Sequence, residues 1–220
     1  MASRPRPRLT RLHGAIRVAA LAVLAALPAG ADAAEIVLRA ERPRSRPLIL
    51  HVEAQDGAWQ VRVLDTGGVE RQRFAVPTDA PDAPPRALDA DQDGAADLWL
   101  PLIAGGANTA FALWRMQPWR SRFVAAGEVS GATFTLDPAG HLVATARSGC
   151  CAVEHVFHRF GGDGALDRAF TLTRRLDPEL PAAQRCTVEP GSVTPPAKLV
   201  EALCALDAEA PIPGRRLPVH

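Results

Sequence analysis

Four aspartates and one glycine lie within nine residues of this chain, at Asp89, Asp91, Asp93, Gly94 and Asp97. Like charges this close repel one another, and a hard dication that takes about six to eight oxygen ligands removes that cost. The glycine permits a sharp turn, and the carbonyl of Ala95 can add a backbone ligand. The spacing therefore predicts a structural Ca²⁺ site with ligands from Asp89, Asp91, Asp93, Ala95 and Asp97. Mg²⁺ would require a tighter octahedron and usually keeps more of its waters.

Two other interpretations apply to the same residues. An EF-hand loop begins in this way, but it needs a bidentate Glu at its twelfth position, between two amphipathic helices. That position is Leu100, inside an apolar run, residues 98–103, that indicates a buried strand. The proline-rich residues 80–86 before the cluster are equally unsuited to a helix interior. The second alternative is an acidic surface turn without a metal, since Asp and Gly are common in turns.

The first 33 residues have the features of a cleaved signal peptide. Five arginines precede a ten-residue apolar run, residues 18–27, and residues 31–33 form a small-x-small cleavage site. This run is well short of the roughly 20 residues of a membrane-spanning helix, although a permanent N-terminal anchor is the alternative. We therefore expect an exported protein, periplasmic or secreted, without stable membrane insertion.

The rest of the chain suits one domain. Residues 34–208 are enough for a single hydrophobic core, with the acidic loop at 89–97, and residues 209–220 are expected to form a flexible tail. Residues 1–33 hold five of the 25 basic and one of the 24 acidic side chains, which leaves 20 basic against 23 acidic. Because the arginines are also scattered, nucleic acid is not an expected partner.

The cysteines are expected to form two disulfides. Cys150, Cys151, Cys186 and Cys204 are an even number in a chain with an export signal, which favours disulfides over reactive thiols. Three pairings are possible. In two of them, Cys150 and Cys151 each join one of the two later cysteines. In the third, Cys150 and Cys151 join each other. A zinc site is less well supported, because the spacing lacks a Cys-x-x-Cys knuckle.

Short apolar stretches between turn residues predict an all-β domain. Residues 59–64 alternate apolar and polar side chains, residues 66–68 turn the chain, and residues 69–76 return, as in a hairpin. Similar turn signals recur about every 8 to 12 residues. Only residues 197–208 have helical character. We expect successive antiparallel hairpins, in a propeller-like array or a sandwich, with a short C-terminal helix.

Motifs for catalysis are missing from the sequence. It contains no nucleophile elbow, phosphate loop, dinucleotide fingerprint or His-Glu-x-x-His pair. On a strand, His155 and His158 would point to opposite faces, which predicts surface histidines and no metal site. The aspartates could in principle serve glycoside hydrolysis, but a cation would occupy them all. We therefore predict that the chain is not an enzyme, and a hydrolase is the least favoured alternative.

The acidic loop that leads into the apolar residues 98–100 resembles the calcium loop of FG-GAP/VCBS-type β-repeat proteins. Residues 88–174 also resemble a group of exported bacterial β-proteins, some of them periplasmic immunity proteins related to lysozyme inhibitors. The matching landmarks are residues 89–97, 105–109, 113–114, 122–124, 148–151 and 160–164. This resemblance implies a β-propeller-like domain with a structural calcium and a protruding loop that blocks the cleft of a muramidase- or chitinase-like hydrolase.

One departure from that group concerns the blocking residue. Such inhibitors often use a tyrosine-bearing loop, and this chain has no Tyr, so the role would move to a side chain such as Trp119 or Arg120. Trp119 follows Pro118 in a turn and is the tryptophan we expect at a contact surface. The leading hypothesis is a non-catalytic, exported, calcium-binding domain that binds another protein, such as a cell-wall hydrolase. The alternative is a structural or adhesion-type envelope module.

Overall fold

The computed structural model describes residues 35–105 and 108–219. The predicted signal peptide lies outside these residues, as do two residues of the turn at 105–109. No helix among the described residues is long and apolar enough to cross a lipid bilayer.

The described chain forms three antiparallel sheets, one after another along the sequence. The N-terminal sheet has, in spatial order, β1 (Ile36–Arg42), β2 (Ser45–Gln55), β3 (Ala58–Leu64) and β4 (Glu70–Pro77). The middle sheet has β5 (Arg86–Leu88), β6 (Asp97–Ala104), β7 (Thr109–Gln117) and β8 (Arg122–Gly131). A 3₁₀ turn, Pro118–Arg120, joins β7 to β8.

The C-terminal sheet has six strands and two associated helices. Its chain order is β9 (Thr133–Leu136), β10 (Leu142–Arg147), β11 (Ala152–Phe160), β12 (Leu166–Arg175), β13 (Cys186–Pro190) and β14 (Arg215–Leu217). In space, β14 lies beside β9 at one edge and β13 lies at the other. The helices are α1 (Ala182–Arg185) and α2 (Ala197–Cys204). The predicted all-β fold of successive hairpins with a short C-terminal helix is thereby confirmed.

The middle sheet is buried on both faces. Because side chains alternate along a strand, β6 places Leu98 and Leu100 against the N-terminal sheet and Trp99 against the C-terminal sheet. The Trp99 ring meets Phe134 of β9 edge to face, with 5.2 Å between ring centroids. Burial on both sides explains why this strand has a continuous apolar sequence instead of an alternating one.

The two outer faces of this stack of sheets differ. The outer face of the N-terminal sheet is polar, and Glu35 there pairs with His51 at 3.0 Å and with Arg62 at 2.8 Å. The outer face of the C-terminal sheet carries mostly apolar side chains over β11 and β12, together with the buried polar pair His155 and Arg174. It is covered there by Leu203 of α2 and by Ile212.

Residues 209–219 depart from the predicted flexible tail. β14 pairs with β9, with Leu217 opposite Phe134, and the side chains of Ile212, Leu217 and Val219 are buried. The physical reason is that Leu217 and Val219 alternate with polar or proline neighbours, so that both enter the core between the middle and C-terminal sheets.

The two predicted disulfides are present, as Cys150–Cys151 and Cys186–Cys204. The arrangement in which each neighbour joins a later cysteine does not occur. Cys186 begins β13 and Cys204 ends α2, and packing of α2 brings their Cα atoms to 5.6 Å. Cys150 and Cys151 lie in the turn between β10 and β11. Bonds of this kind persist in oxidising environments outside the cytoplasm.

Candidate functional site

The acidic loop connects β5 to β6, two antiparallel neighbours in the middle sheet. Leu88, at the end of β5, lies opposite Asp97, at the start of β6, so the hairpin returns the end of the loop to its beginning. The turn uses two residues with left-handed backbone, Gln92 (φ 62°) and Gly94 (φ 83°). Glycine adopts this conformation without steric cost, which fits the turn predicted for Gly94.

Three of the four aspartates converge. One carboxylate oxygen each from Asp89, Asp91 and Asp97 lies within 4.8 Å of the other two. Oxygens that share one Ca²⁺ at about 2.3–2.6 Å from the ion can be up to about 5 Å apart, so this spacing fits a single calcium ion. Asp93 is not part of the converging group, and a ligand role for the Ala95 carbonyl stays a prediction.

Backbone amides of the loop hold its carboxylates in place. Asp89 accepts hydrogen bonds from Gln92 N (2.7 Å) and Gly94 N (3.1 Å), Asp91 from Asp93 N (3.1 Å), and Asp93 from Ala95 N (2.8 Å). Each bond links a side chain to an amide two to five residues ahead, as in Asx turns. The loop therefore orders its oxygens largely through its own main chain.

Asp97 is the most buried member of the group, with no exposed surface. Its Oδ1 accepts a hydrogen bond from Met116 N of β7 (2.8 Å), and its Oδ2 accepts one from Ala90 N (2.9 Å). Burial raises the pKa of this carboxyl well above its usual range, and the nearby charge of Asp91 raises it further, against the effect of the two amides. No described cationic side chain forms an ion pair with it.

Arg115 of β7 supplies positive charge to the loop. Its Nε donates a hydrogen bond to Asp91, and its Nη2 lies 3.6 Å from an oxygen of Asp93. Burial raises the pKa of Asp93, with a smaller contribution from the Asp91 charge. One guanidinium against four carboxylates leaves an excess of negative charge, which a divalent cation would neutralise. Sequence reasoning missed Arg115, because an arginine on a strand far from the loop gives no local signal.

The structure places Trp119 where the sequence predicts, on the surface, with 78% of its area exposed. Arg42 of β1 fixes the turn that carries it, with hydrogen bonds to the Pro118 carbonyl (3.1 Å) and to Ser121 Oγ (2.6 Å). Trp119 lines an open groove of about 520 Å³ together with Val69, which is itself more than half exposed. We call this the Trp119 groove.

His155 corrects the expectation of a surface histidine, because it has no exposed surface. Its strand neighbours on the same face are Val153 and Phe157, both buried. That alternation of apolar residues around a histidine is the sequence signal that could have placed it inside. His158 lies on the opposite face and is partly buried.

A scan against protein-family models and searches of curated proteins and of solved structures gave no significant match.

Proposed function

We propose that this chain is an exported, non-catalytic β-domain that binds one structural Ca²⁺ at residues 89–97 and acts by binding another protein. The observation that carries the proposal is the convergence of Asp89, Asp91 and Asp97 within 4.8 Å. Hard oxygen donors in a flexible turn suit calcium better than zinc or copper. Because Asp97 is buried and forms no direct ion pair among the described residues, an ion there would stabilise the folded state.

The metal part of the proposal is tested by thermal unfolding in millimolar calcium and in EDTA. A ligand that binds only the folded state at about 100 times its Kd adds about 2.7 kcal/mol, which corresponds to roughly 5 to 10 °C in Tm. We expect this shift in the wild type and its loss in Asp91→Ala. Asp177→Ala is the matched control, since Asp177 and Glu179 form another exposed acidic turn, in which Asp177 accepts a hydrogen bond from Glu179 N (2.9 Å). Equal Tm values in calcium and EDTA for the wild type would overturn the metal site.

The partner part of the proposal rests on the Trp119 groove. An exposed tryptophan on a turn that is already held by Arg42 loses little conformational entropy on binding, as do aromatic residues at the centres of protein interfaces. The sharpest form of the proposal is inhibition of a peptidoglycan hydrolase, in the periplasm or outside the cell, with Trp119 as the side chain that enters the cleft.

Binding is tested by capture of a panel of cell-wall hydrolases on the immobilised domain, with a lysis assay in parallel. We expect that Trp119→Ala abolishes capture and inhibition without changing Tm. Val37→Ala, which removes another exposed apolar side chain from the N-terminal sheet, should leave both unchanged. A domain that captures no hydrolase and protects no substrate would sink the inhibitor proposal. Binding to envelope polymers instead would favour the adhesion-type alternative.

A further inference from the structure

A second groove, of about 550 Å³, lies on the outer face of the C-terminal sheet. Opposed residues of neighbouring strands share a face, so Thr145 lies between Thr133 and His155, and Thr135 lies beside Arg216. The apolar cluster under α2 includes residues of β11 and β12 and, from β10, Val143. Over β9, β14 and the Thr145 end of β10, residues 209–214, which follow α2, form the far wall of the groove. The floor is therefore a sheet surface of hydroxyl groups, with an arginine at its edge.

Hydrogen-bond partners fix the protonation of His155, which lies in this floor beside Thr145. Arg174 is buried, and its Nε and Nη2 lie 3.1 and 2.6 Å from His155 Nε2. A guanidinium only donates hydrogen bonds, so Nε2 is the acceptor and the ring proton is on Nδ1. Nδ1 lies 2.8 Å from Thr145 Oγ1, which therefore accepts. The hydroxyl proton of Thr145 has no hydrogen-bond acceptor among the described residues.

The groove also has a positive charge behind it. Arg174 bonds to the His155 ring and to the carbonyl oxygens of Asp207 (2.7 Å) and Ala210, and it forms no ion pair with a described carboxylate. At the rim, Arg147 is paired with Glu209 at 2.5 Å, whereas Arg216 is exposed and has no described ionic partner. A ligand in the groove thus meets a hydroxyl that must donate, the exposed guanidinium of Arg216 and, behind the floor, a buried guanidinium that has no direct ion pair among the described residues.

We propose that this groove is a binding site for a carboxylate group, which accepts a hydrogen bond from Thr145 Oγ1 and pairs with Arg216. His155 and Arg174 act as positioning residues, since they keep the Thr145 hydroxyl pointing its proton into the groove. The carboxylate can belong to a small free acid or to the C-terminus of a peptide. The site lies on a different sheet from the acidic loop and does not depend on calcium.

The ligand chemistry is tested by NMR titration of the purified, ¹⁵N-labelled protein with three probes: acetate, N-acetyl-dialanine and its C-terminal amide. We expect amide signals of residues 133–136 and 145–147 to shift with the two acids, with Kd values on the order of millimolar. The amide probe should cause no shift. Tighter binding of N-acetyl-dialanine than of acetate assigns the site to peptide ends, and equal binding assigns it to small acids.

Variants separate the proposed contacts from general effects. Thr145→Val should weaken binding of the acids about tenfold or more, because a hydrogen bond to a charged group is lost. Thr145→Ser keeps the hydroxyl, and its Kd for the acids should stay within a few fold of the wild-type value. Arg216→Gln should weaken binding and remove most of its salt dependence. Thr187→Val, on the exposed strand β13 of the same sheet, is the matched control.

The tautomer provides a readout that a purely structural role would not require. A long-range ¹H–¹⁵N spectrum should show the proton of His155 on Nδ1. The proposal is overturned if the proton is on Nε2, if the amide probe binds as tightly as the acid, or if none of the probes shifts the groove signals. It is also overturned if Thr145→Val and Arg216→Gln both bind like the wild type. Arg216→Gln carries the test if Thr145→Val is poorly folded, since Arg216 is exposed.

Discussion

Arg115 donates a hydrogen bond to the carboxylate of Asp91, although the two residues are 24 positions apart. The guanidinium comes from the C-terminal part of β7, the strand next to the one that the loop enters. It is therefore fixed by the middle sheet and independent of the loop's own turn. The loop consequently has one permanent positive charge, which acts as a partial counter-ion whether or not calcium is bound.

Replacement of Arg115 by Gln should affect the metal-free protein most. In EDTA, Asp91 loses its ionic partner, and we expect a loss of about 1 to 2 kcal/mol in the free energy of unfolding. In calcium the ion supplies the charge, so the loss should be smaller and the calcium-dependent rise in Tm larger than in the wild type. Scanning calorimetry in both buffers measures this. Arg120→Gln, on the adjacent exposed turn, is the control, and equal losses in both buffers would contradict the prediction.

Acid should destabilise the domain through two histidines, the buried His155 and the partly buried His158. Burial, and then the charge of Arg174, lower the pKa of His155 to about 3. Burial likewise lowers the pKa of His158 to about 4, with Arg168 as the second cause. The unfolded chain takes up these protons near pH 6.5 and the folded chain does not. Stability is therefore complete above the unfolded pKa and falls as the pH drops from about 6.5 towards 4.

For each proton that only the unfolded chain binds, the free energy of unfolding falls by about 1.4 kcal/mol for each unit by which the pH is lowered. His155→Gln can still accept from Arg174 and donate to Thr145, and it should reduce the slope by about one proton. Urea unfolding at a series of pH values measures the slope, and NMR titration of the His155 ring checks its cause. A ring that titrates near pH 6.5 in the folded protein would refute this account.

The two disulfides should differ in their contribution to stability. Cys186 and Cys204 are 18 residues apart, and a loop of this length corresponds to about 3 kcal/mol in the chain-entropy description. Cys150 and Cys151 are adjacent and restrict almost none of the unfolded chain. We expect a large loss of stability for the double alanine variant of the first pair and little change for that of the second. Chemical denaturation compares them, and equal losses would be evidence against these pairings.

The last strand should be essential to the core. Leu217→Ala removes a side chain that packs with Phe134 and Leu136 between two sheets, and we expect a loss of about 2 to 5 kcal/mol. Arg215→Ala, two residues earlier and exposed, should change stability by less than about 0.5 kcal/mol. Denaturation midpoints measure both. Equally small losses of stability in the two variants would mean that residues 215–219 behave as the flexible tail that the sequence predicts.

Local patterns in the sequence are sufficient for the class of fold. The alternation in residues 59–64 and the turns that follow predict the N-terminal hairpins, because period two and turn residues act over a few positions. The same local signals indicate the acidic loop, the exposed Trp119 and α2. Strand β14 was not predicted, because two apolar residues, Leu217 and Val219, are too few to give a periodic signal. They have a core to enter only because β14 pairs with β9, about 80 residues earlier in the chain.

The chemistry around the candidate sites depends on contacts between distant residues. The ion pair of Arg115 with Asp91 joins β7 to the acidic loop, and the contact of Arg174 with His155 joins β12 to β11. Neither contact can be read from the sequence, because strand order is not encoded in any local period. The disulfide pairing depends in the same way on how α2 packs. The convergence of Asp89, Asp91 and Asp97 was accessible to sequence reasoning because the three residues lie in one turn.

The ion-paired face of the N-terminal sheet has a consequence for the protein in solution. An uncovered outer sheet face could, in a stack of sheets, pack against a sheet of another copy of the protein. Glu35, His51 and Arg62 make that outermost layer costly to desolvate. Helix α2 has the same effect at the far end by occupying the apolar layer there. A further sheet could therefore stack on the first face only by desolvating these charged groups, and on the second only by displacing α2.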